Sequence, residues 1–170
     1  MPSRYNHSRL SFRQVPDLLR AIFVAELLTP SRCMWLVSPQ ISDIPVLDNT
    51  TNSFKWLEPS WRRSPILLSQ ILTTLTLRGT IVHVATPPYK HNCSFIEALL
   101  VKADGFNCHV HSTEKLYSKG ILGDRYYLGG SMNFTYKGIT VNEEGLTYDT
   151  SPQVIAKQQL IFASRWKRVV

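Results

Sequence analysis

Cysteine is scarce in this 170-residue sequence, which contains three cysteines and no Cys-x-x-Cys pair. An odd count without that spacing argues against a disulfide framework and indicates a reducing compartment. Clusters of carboxylates or imidazoles at ligand spacing are also missing, so no metal or other cofactor is predicted. There is no apolar run of membrane-spanning length, and residues 1–14 lack the apolar stretch of a signal peptide. We therefore expect a soluble, cytoplasmic protein that does not enter a membrane.

Acidic residues are few relative to basic ones. Aspartate and glutamate total 12 against 19 lysines and arginines, which gives a formal net charge of +7 and a pI of about 9.5. Such an excess favours an anionic partner, such as a nucleic acid or a phosphorylated substrate. Hydrophobic residues make up 44% of the chain and charged residues 18%. These values are typical of folded proteins, and the length fits one domain spanning 1–170.

Short apolar strands alternate with helical segments along the chain. Helices are predicted over 18–28, 65–78, 93–104 and 152–165, and strands over 33–39, 80–86, 106–112, 115–123, 126–130 and 146–149. Asn92 is expected to cap the third helix. This order predicts an α/β fold with a mixed, largely parallel sheet flanked by helices, in which the closing hairpin provides the antiparallel part.

The segment 41–64 has no clear period and is predicted to be a loop. A loop of this length inside a compact domain indicates a functional or interface role. It carries Trp56, Trp61 and the basic pair Arg62 and Arg63. These side chains could stack on bases and contact phosphates. The alternative is that they form a packed cap over the second helix.

A chemically distinctive stretch, YSKGILGDRYYLGGSMN, runs from Tyr117 to Asn133. Residues two apart on a strand share a face, so Tyr117 and Lys119 point the same way, and Ser131 and Asn133 are expected to do so as well. The ammonium group of Lys119 suits a phosphoryl oxygen, and hydroxyl and amide donors can stabilise charge on the other oxygens. Phosphoryl transfer needs little beyond such positioning and electrostatics. The residues by themselves therefore indicate a phosphate site.

The same stretch resembles the signature of the phospholipase D superfamily: His-x-Lys, four residues, Asp, about six residues, then Gly-Ser-x-Asn. Lys119 and Asp124 keep the spacing of four, and 130–133 supplies the Gly-Ser-x-Asn one residue early. Glu144 lies where small nucleases of the superfamily carry a glutamate that supports the catalytic histidine. The resemblance implies a metal-independent phosphodiesterase, with Asp124 in a structural role. The implied site residues are Tyr117, Lys119, Asp124, Ser131, Asn133 and Glu144.

The sequence departs from this signature at its first position, where Tyr117 replaces the histidine. In the family that histidine is the nucleophile. A free phenol titrates near pH 10, so a tyrosine is a poorer nucleophile at neutral pH unless a neighbour such as Lys119 lowers its pKa. Three alternatives remain open: catalysis is lost, Tyr117 substitutes for the histidine, or another histidine reaches the site.

Residues 35–49 also resemble the first strand and following loop of small phospholipase D-like proteins from bacterial DNA-modification and defence islands, including the 7-deazaguanine DNA-modification system. The two resemblances together imply a nuclease acting on DNA. The alternative is a non-catalytic nucleic-acid-binding or scaffold subunit that keeps the phosphate pocket. The family completes its site with two copies of the motif, and this chain carries one, which implies a homodimer. Non-specific nucleic-acid contacts are expected from basic residues around the site: Arg62, Arg63, Arg125 and Lys137.

Overall fold

The computed structural model of the chain describes residues 8–10, 15–116, 119–130, 134–135 and 146–166. The strands, numbered along the chain, are β1 (Ser8–Leu10), β2 (Cys33–Val37), β3 (Pro45–Asp48), β4 (Pro65–Leu67), β5 (Ile81–Thr86), β6 (Cys108–Ser112), β7 (Gly120–Leu122), β8 (Tyr127–Gly130) and β9 (Leu146–Asp149). The helices are α1 (Val15–Leu28), α2 (Leu68–Leu77), α3 (Lys90–Lys102) and α4 (Pro152–Trp166).

Seven of these strands form a mixed sheet in the order β1-β9-β8-β7-β2-β5-β6. The pairings β2–β5 and β5–β6 are parallel, and the pairings from β2–β7 outward to β1 are antiparallel. Parallel neighbours need a long crossover connection, and α2 and α3 lie in those connections. The turn between β7 and β8 is short, as an antiparallel pair allows. The predicted mixed α/β sheet flanked by helices is confirmed, although only two of its six described pairings are parallel, and these lie on one side of the sheet.

The central strand β2 contributes to two hydrophobic cores. Successive side chains of a strand point to opposite faces of the sheet. Met34 and Leu36 pack with residues of α1, α2 and α3, whereas Trp35 and Val37 pack with α4. Because both of its faces are covered, β2 has an unbroken run of apolar residues rather than an alternating pattern.

The structure corrects the prediction for the region before α2. The segment expected to be one loop contains β3, which pairs with β4, so Pro65 begins a strand rather than a helix. The helix α2 begins at Leu68, where Gln70 Oε1 accepts the N–H of Leu67 at 2.8 Å and Asp43 caps the first turn from outside the helix. The backbone N–H of Ser69 donates to Asp43 Oδ1 at 2.8 Å, and the Ser69 hydroxyl donates to Oδ2 at 2.6 Å. This cap lies 26 residues upstream of Ser69, so no local pattern reveals it.

The prediction that Asn92 caps the third helix is wrong. The helix α3 begins at Lys90, two residues before Asn92, and the Asn92 side chain is buried. Its Oδ1 accepts the N–H of Ile41 at 3.0 Å, and its Nδ2 donates to Thr86 Oγ1 at 2.9 Å and to the carbonyl oxygens of Pro87 and Pro39 at 3.0 and 3.1 Å. An amide both donates and accepts, so this one side chain joins the segments that follow β2 and β5. The other predicted helices are confirmed to within about a turn.

Candidate functional site

Lys119 lies at the edge of the sheet where the parallel strands end. The next residue, Gly120, opens β7 and pairs with Val37, the last residue of β2. Val37 in turn pairs with Ala85, near the end of β5. In open α/β sheets, ligand sites form beyond the carboxyl ends of the parallel strands. We call this region the carboxyl edge, and Lys119 is half-buried there.

The first residue of the Gly-Ser-x-Asn segment and the residue that follows the segment lie at the same carboxyl edge. Gly130 ends β8, the strand beside β7. Phe134 is buried, its N–H donates to Ser38 Oγ at 3.4 Å, and its carbonyl oxygen accepts the N–H of Ser42 at 2.9 Å. Five predicted site residues fall outside the described residues, and the predictions for them stand as made: Tyr117, Ser131, Asn133, Lys137 and Glu144.

Tyr127 holds the backbone of Lys119, and the sequence did not single it out. Its hydroxyl donates to the Lys119 carbonyl oxygen at 3.4 Å. Burial raises the pKa of the Tyr127 phenol, so the group keeps the proton that it donates. Its side chain lies against Gly129, where an added Cβ would come within 2.6 Å of it. On the side of α4, the ring meets Phe162 edge-on, with centroids 6.3 Å apart. The sequence feature that could have indicated this role is Gly129, because a glycine at that position leaves room for the Tyr127 ring.

Asp124 lies at the opposite end of β7 from Lys119. Four residues of nearly extended chain lie between the two, and the five steps from 119 to 124 span about 15 Å at the usual rise of a strand. The Asp124 carboxylate accepts the N–H of Arg32 at 2.7 Å, and the Asp124 N–H donates to Ser31 Oγ at 3.0 Å. These contacts fix the β7–β8 turn against the start of β2. The structure therefore does not bring Asp124 to Lys119, and its placement agrees with the structural role that the resemblance implies.

The turn that carries Asp124 is packed closely against α1. Glu26 is buried, and its carboxylate accepts the N–H and the hydroxyl of Ser31 at 2.8 and 2.6 Å. A Cβ on Gly123 would come within 2.8 Å of Glu26 Oε1 and 2.9 Å of Ser31 Oγ, so the turn requires a glycine. The Arg125 guanidinium donates to the carbonyl oxygen of Thr29, just past α1. Arg125 was expected to lie around the site with Lys119. That expectation is wrong, because Arg125 lies at the far end of the hairpin.

Arg62 and Arg63 are exposed on a loop that packs over α2. Trp61 in this loop is buried in the main core. The loop is tied to the end of α2, because Arg78 Nη2 donates to Glu58 Oε2 at 2.7 Å. For Trp61, the structure thus supports the alternative interpretation, in which the loop residues form a packed cap over the second helix. Trp56 remains 64% exposed, which leaves its ring accessible for stacking.

Arg62 also lines an open groove of about 1050 Å³ between this loop, α2 and α3. The groove contains both signs of charge, since Arg78 and Lys102 face it together with Glu58 and Glu97. Mixed charge gives no net attraction for a polyanion. The groove is therefore a weaker candidate for a phosphate site than the carboxyl edge.

Three histidines lie on the face of the sheet that packs against α4. His83 is buried and stacks on Trp35, with ring centroids 4.0 Å apart, and its Nδ1 lies 2.9 Å from His111 Nε2. Burial, followed by the neighbouring His109, lowers the pKa of His111.

Within the described part of the chain, no three His, Cys, Asp or Glu side chains are grouped so that they could hold a metal ion. Among the described helices, none combines the length and apolar character needed to cross a membrane.

No protein-family model matches the sequence, and no curated protein matches it. The three-dimensional structure does match solved proteins, and these place the chain in a fold class. Its fold is the α/β fold of phospholipase D-like proteins, seen in Nuc from Salmonella typhimurium, a phospholipase D family member. The fold that the sequence resemblance implied is thereby confirmed.

Individual structures give the extent of the similarity. NucT from Helicobacter pylori matches with a TM-score of 0.65 and 12% identity over 95% of each chain. Nuc matches with a TM-score of 0.60 and 12% identity over 86% of each chain. TrmBL2, an archaeal chromatin protein with a novel mode of DNA binding, matches at 0.56 and 12% identity over 98% of this chain and 54% of its own. At such identities the similarity concerns the fold alone.

Proposed function

We propose that this protein is a phospholipase D-like phosphodiesterase, a metal-independent nuclease that cleaves DNA. The observation that carries the proposal is the position of Lys119 at the carboxyl edge, where Gly130, the first residue of the Gly-Ser-x-Asn segment, and Phe134, the residue that follows the segment, also lie. The fold shared with Nuc supports the phosphodiesterase class, and the fold shared with the DNA-binding protein TrmBL2 supports nucleic acid as the ligand. The resemblance of residues 35–49 further suggests a DNA-modification or defence system as the setting.

In the proposed site, Lys119 neutralises a non-bridging oxygen of the scissile phosphate. An ammonium on a flexible stem can follow that oxygen as charge builds up in the transition state. Ser131 and Asn133 donate hydrogen bonds to the other oxygens, and Glu144 supports the group at position 117, as the family's glutamate supports its histidine. Tyr127 keeps Lys119 in place through the carbonyl contact. Asp124 acts only through the hairpin turn, since its carboxylate is engaged by the Arg32 N–H.

A homodimer follows from the single copy of the motif. We propose that two protomers meet about a two-fold axis with their 117–133 segments facing each other, so that two lysines surround one phosphate. Light scattering at micromolar concentration is expected to give twice the mass of the 19.4 kDa chain. A monomer at that concentration would contradict the shared site.

The second candidate function is a non-catalytic nucleic-acid-binding or scaffold subunit. The observation in its favour is Tyr117, which occupies the position of the family's nucleophilic histidine. A site that keeps its cationic and polar groups but lacks a nucleophile still binds phosphate. The two functions therefore differ in turnover and not in binding.

Cleavage of labelled DNA in the presence of EDTA separates the two functions. We expect the protein to nick DNA under these conditions and Lys119→Ala to lose at least about 100-fold in rate, since charge-stabilising donors contribute that much in other enzymes. Lys157→Ala, which removes an exposed lysine of α4, is the matched control and should retain full activity. DNA binding without cleavage by either the protein or Tyr117→His would instead assign the scaffold role, whereas cleavage by Tyr117→His alone would indicate a nuclease site weakened at position 117.

A further inference from the structure

A serine and a histidine form a hydrogen-bonded pair at the carboxyl edge. The hydroxyl oxygen of Ser42 lies 3.0 Å from His91 Nε2. Ser42 is half-buried in the segment that follows β2, and His91 is exposed in the first turn of α3. A hydroxyl within hydrogen-bond reach of an imidazole is the arrangement that activates a serine as a nucleophile. Because the imidazole is exposed, a substrate can reach both groups.

The backbone on both sides of this pair is fixed. Each member is adjacent to a residue of the buried clamp, in which Asn92 Oδ1 accepts the N–H of Ile41 at 3.0 Å. Asn92 follows His91 directly, and Ile41 precedes Ser42 directly. The backbone segments that carry Ser42 and His91 are therefore held next to each other by a buried hydrogen bond. Reactive groups need such support to hold a productive geometry.

The pair lies next to the proposed phosphate site. The Ser42 N–H donates to the carbonyl oxygen of Phe134 at 2.9 Å, and Phe134 is the residue that follows the Gly-Ser-x-Asn segment. Lys119 precedes β7, which neighbours β2, and β2 neighbours β5. The start of α3 after β5 is thus about two strand spacings, or roughly 10 Å, from the start of β7. A phosphate that lies between these two elements can be approached by the long Lys119 side chain from one side and by the Ser42 hydroxyl from the other.

We propose that Ser42 is the nucleophile of this site and that His91 is its general base, so that the site obtains a histidine from α3 in place of the one missing at position 117. In the first step the Ser42 hydroxyl oxygen bonds to phosphorus while His91 Nε2 takes its proton. The phosphorus–oxygen bond to the leaving nucleotide breaks on the side opposite Ser42, because attacking and leaving oxygens are in line, so solvent water protonates the departing oxygen while the His91 imidazolium keeps its proton. Water then attacks the phosphoserine from the vacated side and gives up its proton to solvent, and the His91 imidazolium returns its proton to the released Ser42 oxygen.

This inference rests on the proposed phosphodiesterase function, so two readouts are needed. The first is hydrolysis of a labelled oligonucleotide in EDTA by Ser42→Ala and His91→Gln. Each variant should lose between about 100-fold and 10,000-fold in kcat with little change in KM, the range typical of a missing general base. The matched controls are Ser94→Ala and His109→Gln, which replace an exposed serine of α3 and an exposed histidine of β6. Both controls should retain the rate, and thermal unfolding checks that every variant is folded.

The second readout is covalent labelling by a fluorophosphonate, which reports an activated serine without any nuclease activity. Ser42 displaces fluoride as His91 takes the hydroxyl proton, and mass spectrometry should find the adduct on Ser42 in the unchanged protein but not in His91→Gln. Labelling without DNA cleavage would keep the inference and refute the nuclease. Cleavage that depends on Lys119, with neither labelling nor sensitivity to Ser42→Ala, would overturn the inference and leave the nuclease standing. The absence of both activities would overturn both.

Discussion

The contact between Gly129 and Tyr127 links the packing of one residue to the position of the candidate phosphate ligand. The Tyr127 ring occupies the space in which a Cβ at 129 would lie, and its hydroxyl reaches the Lys119 carbonyl oxygen. A tyrosine ring is rigid and is held against Phe162 from α4. It therefore cannot yield to a new methyl group without losing one of these contacts. Within the proposed function, Tyr127 acts through Lys119 and is a positioning residue.

We predict that Gly129→Ala lowers the free energy of unfolding by about 1–3 kcal/mol, the usual cost of forcing an extra methyl group into a packed core. Urea denaturation measures this directly. Gly105→Ala is the matched control, because an added Cβ at 105 meets no atom within 4 Å. Its effect should stay within about 0.5 kcal/mol. Equal stability of the two variants would show that Tyr127 moves freely and does not hold Lys119.

Among single residues, the sequence predicted chemistry better than position. Lys119 was predicted to lie within a strand and to bind a phosphate; it lies at the start of β7 on the carboxyl edge, and the phosphate stays a prediction. Asp124 was grouped with it by the motif resemblance and Arg125 by closeness in sequence, and the length of β7 places both at the other end of the hairpin. The pair Ser42 and His91 could not be found, since 49 residues separate its members.

Among the elements, α2 shows how a distant residue decides where a helix starts. The sequence Ser64-Pro65 has the local features of a helix N-terminus, yet the helix starts at Leu68, where the Asp43 carboxylate receives two hydrogen bonds from Ser69. Periodicity located the helix, and tertiary contacts set its boundary. The same reason explains Asn92, a good capping residue by type that instead joins β2 and β5.

We predict that Asp43→Ala destabilises the protein by about 1–2 kcal/mol, the usual loss when a helix cap is removed. The loss should appear in urea denaturation and as faster amide exchange in the first turn of α2. Glu97→Ala is the control, since Glu97 is an exposed carboxylate that faces the same groove. A change to Glu97 as damaging as the change to Asp43 would mean that loss of negative charge, and not loss of the cap, is responsible.

For the whole molecule, the net charge of +7 leads to a prediction about nucleic-acid binding. Each phosphate that the protein neutralises releases counterions, so the affinity should fall with salt by a log–log slope of about 0.9 per contact. Replacing Arg62 and Arg63 by alanine should remove roughly two of these contacts and so lower the slope by about 0.9 for each. The loss of affinity should be about equal for all DNA sequences. Both side chains are exposed, which makes them available for such contacts.

The control for this experiment removes the same charge elsewhere. Arg20→Ala combined with Lys157→Ala changes exposed residues of α1 and α4. If this control flattens the salt slope as much as the Arg62 and Arg63 change, binding is a general effect of net charge and the loop is not an interface. An affinity that does not change between roughly 50 and 200 mM salt would remove the nucleic-acid proposal's electrostatic support.

The central claim is that a phosphate group binds at the carboxyl edge, on Lys119. The most direct measurement is the position of tungstate, a heavy phosphate analogue, in anomalous difference maps of soaked crystals. We predict an anomalous peak for tungstate beside Lys119, with a tungstate oxygen within about 2.7–3.2 Å of Lys119 Nζ. Crystals of Lys119→Ala should show no tungstate peak at this position. Tungstate bound in the groove beside Arg62 and Arg78, with none at Lys119, would contradict the account.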